Sequence, residues 1–202
     1  MLISECIGCD AFPCIDVRHD RYVLPEIDID PTSITMLMIS EAAPQDAADY
    51  FYAGRESLFQ QTTLLAFHDA GVDAESIQDL IEMGVFFTTA VKCGKTGYGI
   101  KAATIKECSL ILEQEITLFP NVKVFMLMGD VAIKALNYIA KREGEPRVIP
   151  AGSTYKIRDA SYYYRDKRVF PSYLQAGPSF FIEKSKRRMI AEDINAALHL
   201  MQ

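Results

Sequence analysis

Hydrophobic and polar positions along the chain fall into two alternating textures. Four short runs are apolar on both alternating faces: "ITMLMIS" (Ile34 to Ser40), "GVFFTTAV" (Gly84 to Val91), "VKVFMLMG" (Val122 to Gly129) and "RVFPSY" (Arg168 to Tyr173). Each is followed by small or polar residues, as expected for strands of a parallel sheet covered on both sides. Between them the period lengthens to that of helices. "RESLFQQTTLLAFHDAG" places Leu58, Thr62, Leu65 and Ala66 on one stripe and stops at Gly71. "AESIQDLIEMG" predicts a short second helix. "ATIKECSLILEQEITLF" opens with Thr104 and Glu107 at capping-box spacing and ends before Pro120. "DVAIKALNYIAKREG" starts at a candidate N-cap, Asp130, and "SFFIEKSKRRMIAEDINAALHL" predicts a long closing helix.

Alternation of strand and helix predicts an α/β fold, a three-layer α/β/α sandwich around a four-stranded, mainly parallel sheet. "STYKIRDASYYYRDKRVF" interrupts the alternation and reads as a hairpin or edge-strand pair. No repeat, low-complexity tract or interdomain linker divides the chain, so one domain over residues 1–202 is expected, with 1–33 as a leader packed on the core. Ligands of such sheets sit beyond the carboxyl ends of the strands. That places a site among "SEAAPQDAADYFYAG", "TTAVKCGK", "MGDVA" and "PSYLQAG".

Composition refines the picture. Half of the 202 residues are hydrophobic and 24% are charged, which suits a packed domain. The longest apolar runs are far shorter than a membrane span, so no membrane partner is expected. "MLISECIGCD" has neither a basic region nor a continuous apolar core, and a cytoplasmic location is expected. The net charge of −6 lacks the surplus that usually marks a nucleic-acid binder. Positive charge is local, in "KSKRR" (Lys184 to Arg188) and "YYYRDKR", which on composition alone read as a solvated helix face and a hairpin rim.

All five cysteines lie in two windows, Cys6, Cys9 and Cys14 in the leader and Cys93 and Cys108 around the second strand. In a reducing compartment such clustering points to a metal site more than to disulfides. A thioredoxin-type pair is disfavoured, because Cys6 and Cys9 precede the first core strand by some two dozen residues. Two thiolates from each window can close a tetrahedral site for zinc or hold an iron–sulfur cluster, and spacing does not choose between them. Cys14 is a spare that can replace Cys9 or be buried. His19, His68 and His199 read as surface or structural residues.

Taken in order, these phrases resemble the uracil-DNA glycosylase superfamily, nearest its iron–sulfur-containing bacterial and archaeal branch. That branch shows an N-terminal CxxC, a strand ending in G-E-A-P-G, an aromatic-Gly phrase, T-N-x-x-K-C, a further Cys, G-x-x-A and T-Y-H-P-S. The counterparts here are Cys6 and Cys9, "SEAAP" with Glu41, "FYAG" with Tyr52, "TTAVKC" ending at Cys93, Cys108, "MGDVAIKAL" and "VFPSYLQAGPS". The resemblance implies a structural [4Fe–4S] cluster on Cys6, Cys9, Cys93 and Cys108. It also implies a monomeric DNA repair protein that hydrolyses the N-glycosidic bond of a flipped, deaminated base in single- or double-stranded DNA. Such chemistry needs a stacking aromatic, polar groups reading the base edge, and a carboxylate near the sugar. The resemblance assigns catalysis to Glu41 with Asp46 beside it, and base binding to Tyr52, Phe51 and Thr89. It assigns DNA contacts to Leu174 and Gln175 with Ser179, Lys184 and Lys186. Two positions depart from the family: Thr89 stands where a base-reading Asn is usual, and Leu174 where a pocket His is. Loss of one such donor typically costs about a hundred- to a thousandfold in rate. Those departures leave two rivals, a non-catalytic DNA-binding or damage-sensing module and a small nucleotide or base binder.

Overall fold

A computed structural model describes every residue except Tyr98 and Gln202. Six strands and six helices are named here in chain order: β1 (Val17–Arg18), β2 (Met36–Ala43), α1 (Leu58–Asp69), α2 (Ile77–Glu82), β3 (Val85–Lys95), α3 (Ala102–Thr117), β4 (Val124–Met128), α4 (Asp130–Arg142), α5 (Thr154–Ile157), β5 (Tyr162–Tyr164), β6 (Lys167–Ser172) and α6 (Lys184–Leu198). They form an α/β fold on one sheet of order β1-β3-β2-β4-β6-β5. The expected four-stranded sheet is therefore corrected to six strands. The four expected strands are its parallel centre, and the additions are antiparallel edges, β1 on β3 and β5 on β6.

Centre strands form where the apolar runs predicted them, because every side chain there has a face to fill. Met36 to Ile39 and Val124 to Met128 are completely buried at successive positions, so both faces of the sheet are covered. Each such side chain contributes about 1.5–3 kcal/mol on burial. α3 and α4 pack on each other and on β3, and α1 packs on α6, which also meets β6. Two helix starts differ from expectation. α4 takes Gly129 as its N-cap, with Asp130 inside the first turn. α6 begins at Lys184, after a separate 3-10 turn at Pro178–Phe181. No helix among the described residues is long and apolar enough to cross a membrane.

The leader is held along the outer edge of β3. Val17 pairs with Lys95 and Arg18 with Gly94, and the Val23 amide donates to the Lys92 carbonyl at 2.9 Å. Gly94 permits this approach, since a Cβ there would lie 2.7 Å from Arg21 Cβ and 3.1 Å from the Pro44 carbonyl. A carboxylate fixes the other side: the Lys101 amide donates to Asp16 at 2.6 Å and the Thr104 hydroxyl donates to its second oxygen. Thr104 therefore serves Asp16 from within α3 instead of capping that helix. Anions at a helix N-terminus are favoured by its unpaired amides and dipole.

Burial opposes the Asp16 charge, but the hydrogen bonds from Thr104 and Lys101 outweigh it and hold the carboxyl below its usual 3.8. With the folded value depressed, the contribution is present above the ordinary carboxylate value and lost as pH falls through the folded one. Asp16→Ala is expected to cost about 1 kcal/mol at neutral pH, as for loss of a helix cap. Urea unfolding of both proteins should show the gap closing as the pH is lowered below 3.8.

Candidate functional site

Beyond the carboxyl ends of β2, β4 and β6 lies a groove of about 300 Å³. Its walls carry Glu41, Gly129, Tyr173, Leu174, Ser179 and Lys186. Glu41 lies near the carboxyl end of β2, which continues past the expected Ser40 to Ala43. Its side chain is 19% exposed and ion-paired with Lys95 at 3.6 Å. Glu41 lies against Gly129, whose missing side chain makes the space: a Cβ there would lie 2.7 Å from a carboxylate oxygen.

Several residues assigned by resemblance meet in this groove. Glu41, Leu174, Ser179 and Lys186 arrive from β2, the loop after β6, a 3-10 turn and α6. Lys186 also stands over the Tyr173 ring at 5.4 Å and pairs with Glu183 at 2.7 Å. Lys184 is exposed at the start of α6, outside the lining.

Others are placed elsewhere. Asp46 is exposed and caps the 3-10 turn Ala47–Asp49, accepting from the Ala48 amide at 3.1 Å. Phe51 is completely buried among Tyr50, Phe59 and Phe87. Gln175, expected to face DNA, is turned inward and fully buried. It accepts from the Ser40 hydroxyl at 3.2 Å and donates to the Met38 sulfur at 3.3 Å. Thr89 is fully buried in β3, beside Ser40 in register, and its hydroxyl has no hydrogen-bond partner. None of these four lines the groove.

Tyr52 closes a sheet edge. Its hydroxyl donates to the Phe87 carbonyl at 2.8 Å and accepts from the Phe87 amide at 3.1 Å, while its ring stacks on Phe86 at 6.2 Å. β3 lacks a neighbour strand there, so the phenol replaces the missing ladder bonds. Tyr52→Phe is expected to cost about 1–3 kcal/mol by stranding both backbone groups. Because Tyr52 does not line the groove, ligand affinity should not change, and urea unfolding beside a binding titration checks both.

The groove's charges are mutually answered. Lys95 pairs with Glu41, Lys134 with Asp130 and Lys186 with Glu183. Arg187 and Arg188 of the basic run pair with Asp69 and Glu192. Sequence reading placed Gly129 and Tyr173 within its strand-end phrases without singling them out, and it did not reach Thr154. Gly129 had a signal, a glycine closing a parallel strand, whereas Thr154 belongs to a four-residue helix with no periodicity to read. A second cavity of about 450 Å³ runs along α4 between Lys141, Arg147 and Ile149, sharing Asp130 with the groove.

The thiols form a separate place. Cys9, Cys14, Cys93 and Cys108 line one cavity of about 290 Å³ between the leader and α3, and Cys6 is not in its lining. Cys93 lies inside β3, which extends to Lys95 instead of stopping at Val91. Burial, with the neighbouring Cys108, Cys9 and Cys14, pushes the Cys93 thiol up to about 12, and burial outweighs the lowering effect of Lys92 to push the Cys108 thiol up to about 11. Among the described residues, no three His, Cys, Asp or Glu side chains converge tightly enough to grip a single metal ion. The four thiols instead surround a space, an arrangement that suits a polynuclear group.

No protein-family model matches the chain, and a search of curated proteins finds no match either.

Proposed function

We propose that this chain is a monomeric DNA repair protein of the uracil-DNA glycosylase type, built on a three-layer α/β/α scaffold and hydrolysing the N-glycosidic bond of a deaminated base. One observation carries the reading: Glu41, Leu174, Ser179 and Lys186, spread over 146 residues of chain, share the walls of one groove at the carboxyl ends of parallel strands. A ligand in that groove would meet a half-buried carboxylate, hydroxyls of Tyr173, Ser179 and Thr154, and an ammonium group. These supply charge stabilisation and donors for a leaving base. Leu174 supplies an apolar wedge of the kind that holds a strand open. A [4Fe–4S] cluster held by the leader and core thiols would tie the two together structurally, and no step of base removal passes through it.

A second reading, a nucleotide or base binder without DNA, is favoured by the ion pairing of Lys186, Arg187 and Arg188 within the protein. One experiment separates them. Protein purified without oxygen is incubated with single-stranded and duplex oligonucleotides carrying uracil, hypoxanthine or xanthine, and its DNA affinity is followed against salt. Abasic product with affinity falling linearly in log salt supports the first reading. Absence of product, with binding of free base and no salt slope, supports the second.

A further inference from the structure

We propose that Cys9, Cys14, Cys93 and Cys108 are the four ligands of a [4Fe–4S] cluster, and that Cys6 is a free thiol. The set differs from the one that the resemblance implies, taking Cys14 in place of Cys6, and it is independent of any chemistry at Glu41.

Position is the first reason. The four named cysteines line one cavity together with Phe12, Tyr22 and Ile111. Cys6 stands apart: it is exposed, follows the 3-10 turn Ile3–Glu5, and its thiol donates to the Leu2 carbonyl at 3.5 Å. A CxxC pair would thus send one sulfur away from the core. The Cys9–Cys14 loop is long enough to turn both thiols toward Cys93 and Cys108. The turn is made at Phe12, held at φ 42°. A bulky residue there is uncommon, so the surroundings must hold it in place. The Phe12 ring is in fact packed edge-on against Tyr22 at 5.1 Å and against His19 at 5.3 Å.

An orphaned group is the second reason. The Tyr22 hydroxyl is buried in this lining beside Cys9, Cys93 and Cys108 and makes no well-formed hydrogen bond within the protein. Buried hydroxyls are rarely left so, and one beside these thiols points to an acceptor in the space they line. The Lys92 amide already donates to Cys108 Sγ at 3.3 Å, the kind of bond that supports a ligating thiolate. Size is the third reason. One zinc ion binds sulfur at about 2.3 Å and needs its sulfurs nearly in contact. The four cysteines line a cavity of about 290 Å³, room for a group larger than one ion.

The test uses the full chain produced without oxygen, as wild type, Cys6→Ser and Cys14→Ser, with iron, sulfide and zinc counted per chain. Wild type and Cys6→Ser are expected to carry about four irons and four sulfides, and Cys14→Ser to lose most of them. Iron lost from Cys6→Ser and kept in Cys14→Ser would overturn the assignment, as would one zinc or no metal in the wild type. A measurement on the native wild type covers a Cys14→Ser variant that does not fold. Brief alkylation followed by peptide mass mapping should label Cys6 alone, and equal labelling of Cys14 would also overturn it. Failure to excise bases leaves these results unaffected, so this assignment and the DNA reading stand or fall separately.

Discussion

Replacing Glu115 by alanine is expected to destabilise the protein by about 3–5 kcal/mol, the cost of leaving a buried charge without its partner. Glu115 on α3 and Lys92 on β3 are both completely buried, and the ammonium nitrogen lies 2.5 Å from a carboxylate oxygen. The ammonium also donates to the Thr88 hydroxyl at 2.6 Å, and that hydroxyl lies 2.9 Å from both Glu115 oxygens. All three groups are thereby satisfied in the buried layer between α3 and β3. Removing Glu115 strands Lys92 where water does not reach it. A domain of this kind has about 5–15 kcal/mol in total, so a third or more of its stability is at stake. Exchanging both partners, as Lys92→Met with Glu115→Leu, should recover most of the loss, because two apolar side chains need no partner. Urea unfolding at unchanged slope measures both variants. A single substitution costing under about 1 kcal/mol would mean that the site admits water. The pair clamps α3 to β3 next to Cys93 and Cys108, so the single variant should also loosen the cavity that those thiols line.

This pair shows how much of the molecule could be read from its sequence. Apolar runs located the four central strands because burial on both faces leaves an unbroken signal at successive positions. The edges left almost none. β1 is two residues long and exists only because the leader lies along β3, and β5 depends on a turn at Arg165 held at φ 55°. Buried polar residues divide in the same way. Glu115 had a local signal, since it falls seven residues after Cys108 on the buried stripe of α3. Gln175 had none, because its partner Ser40 lies 135 residues away and nothing near "SYLQAG" foretells an inward turn. Among the candidate site residues, Glu41 at the end of β2 and Leu174, Ser179 and Lys186 after β6 reach the groove. Asp46, Phe51 and Tyr52, in the loop after β2, do not: they are used locally by their own turn, by the core or by the edge of β3. Cys14 was legible only as a spare, since choosing it over Cys6 requires the backbone at Phe12.

The carboxylate at the groove yields the other large effect. On the proposed reading, Glu41→Gln is expected to slow base excision by about a hundred- to ten-thousandfold, the range of a positioned acid–base group, while the fold remains intact. Glutamine has the same shape, so it can lie against Gly129 as Glu41 does and alter only charge and basicity. A loss of kcat at unchanged KM would identify an interaction made in the transition state. Gly129→Ala attacks the same point differently. Its backbone, at φ 104° and ψ 168°, occupies a region essentially reserved for glycine, so the change costs about 1–3 kcal/mol in strain. The new Cβ would also fall 2.7 Å from a Glu41 oxygen and drive the carboxylate off Gly129. Gly129→Ala should therefore lower both stability and excision, whereas Glu41→Gln lowers excision alone. If excision proceeds unchanged in Glu41→Gln, the carboxylate serves only to balance Lys95 across the groove mouth, and base removal must depend on the hydroxyls of Thr154, Tyr173 and Ser179. If the Gln variant loses activity but binds DNA with the same salt dependence as the wild type, Glu41 acts on the reacting sugar and not on the phosphate backbone.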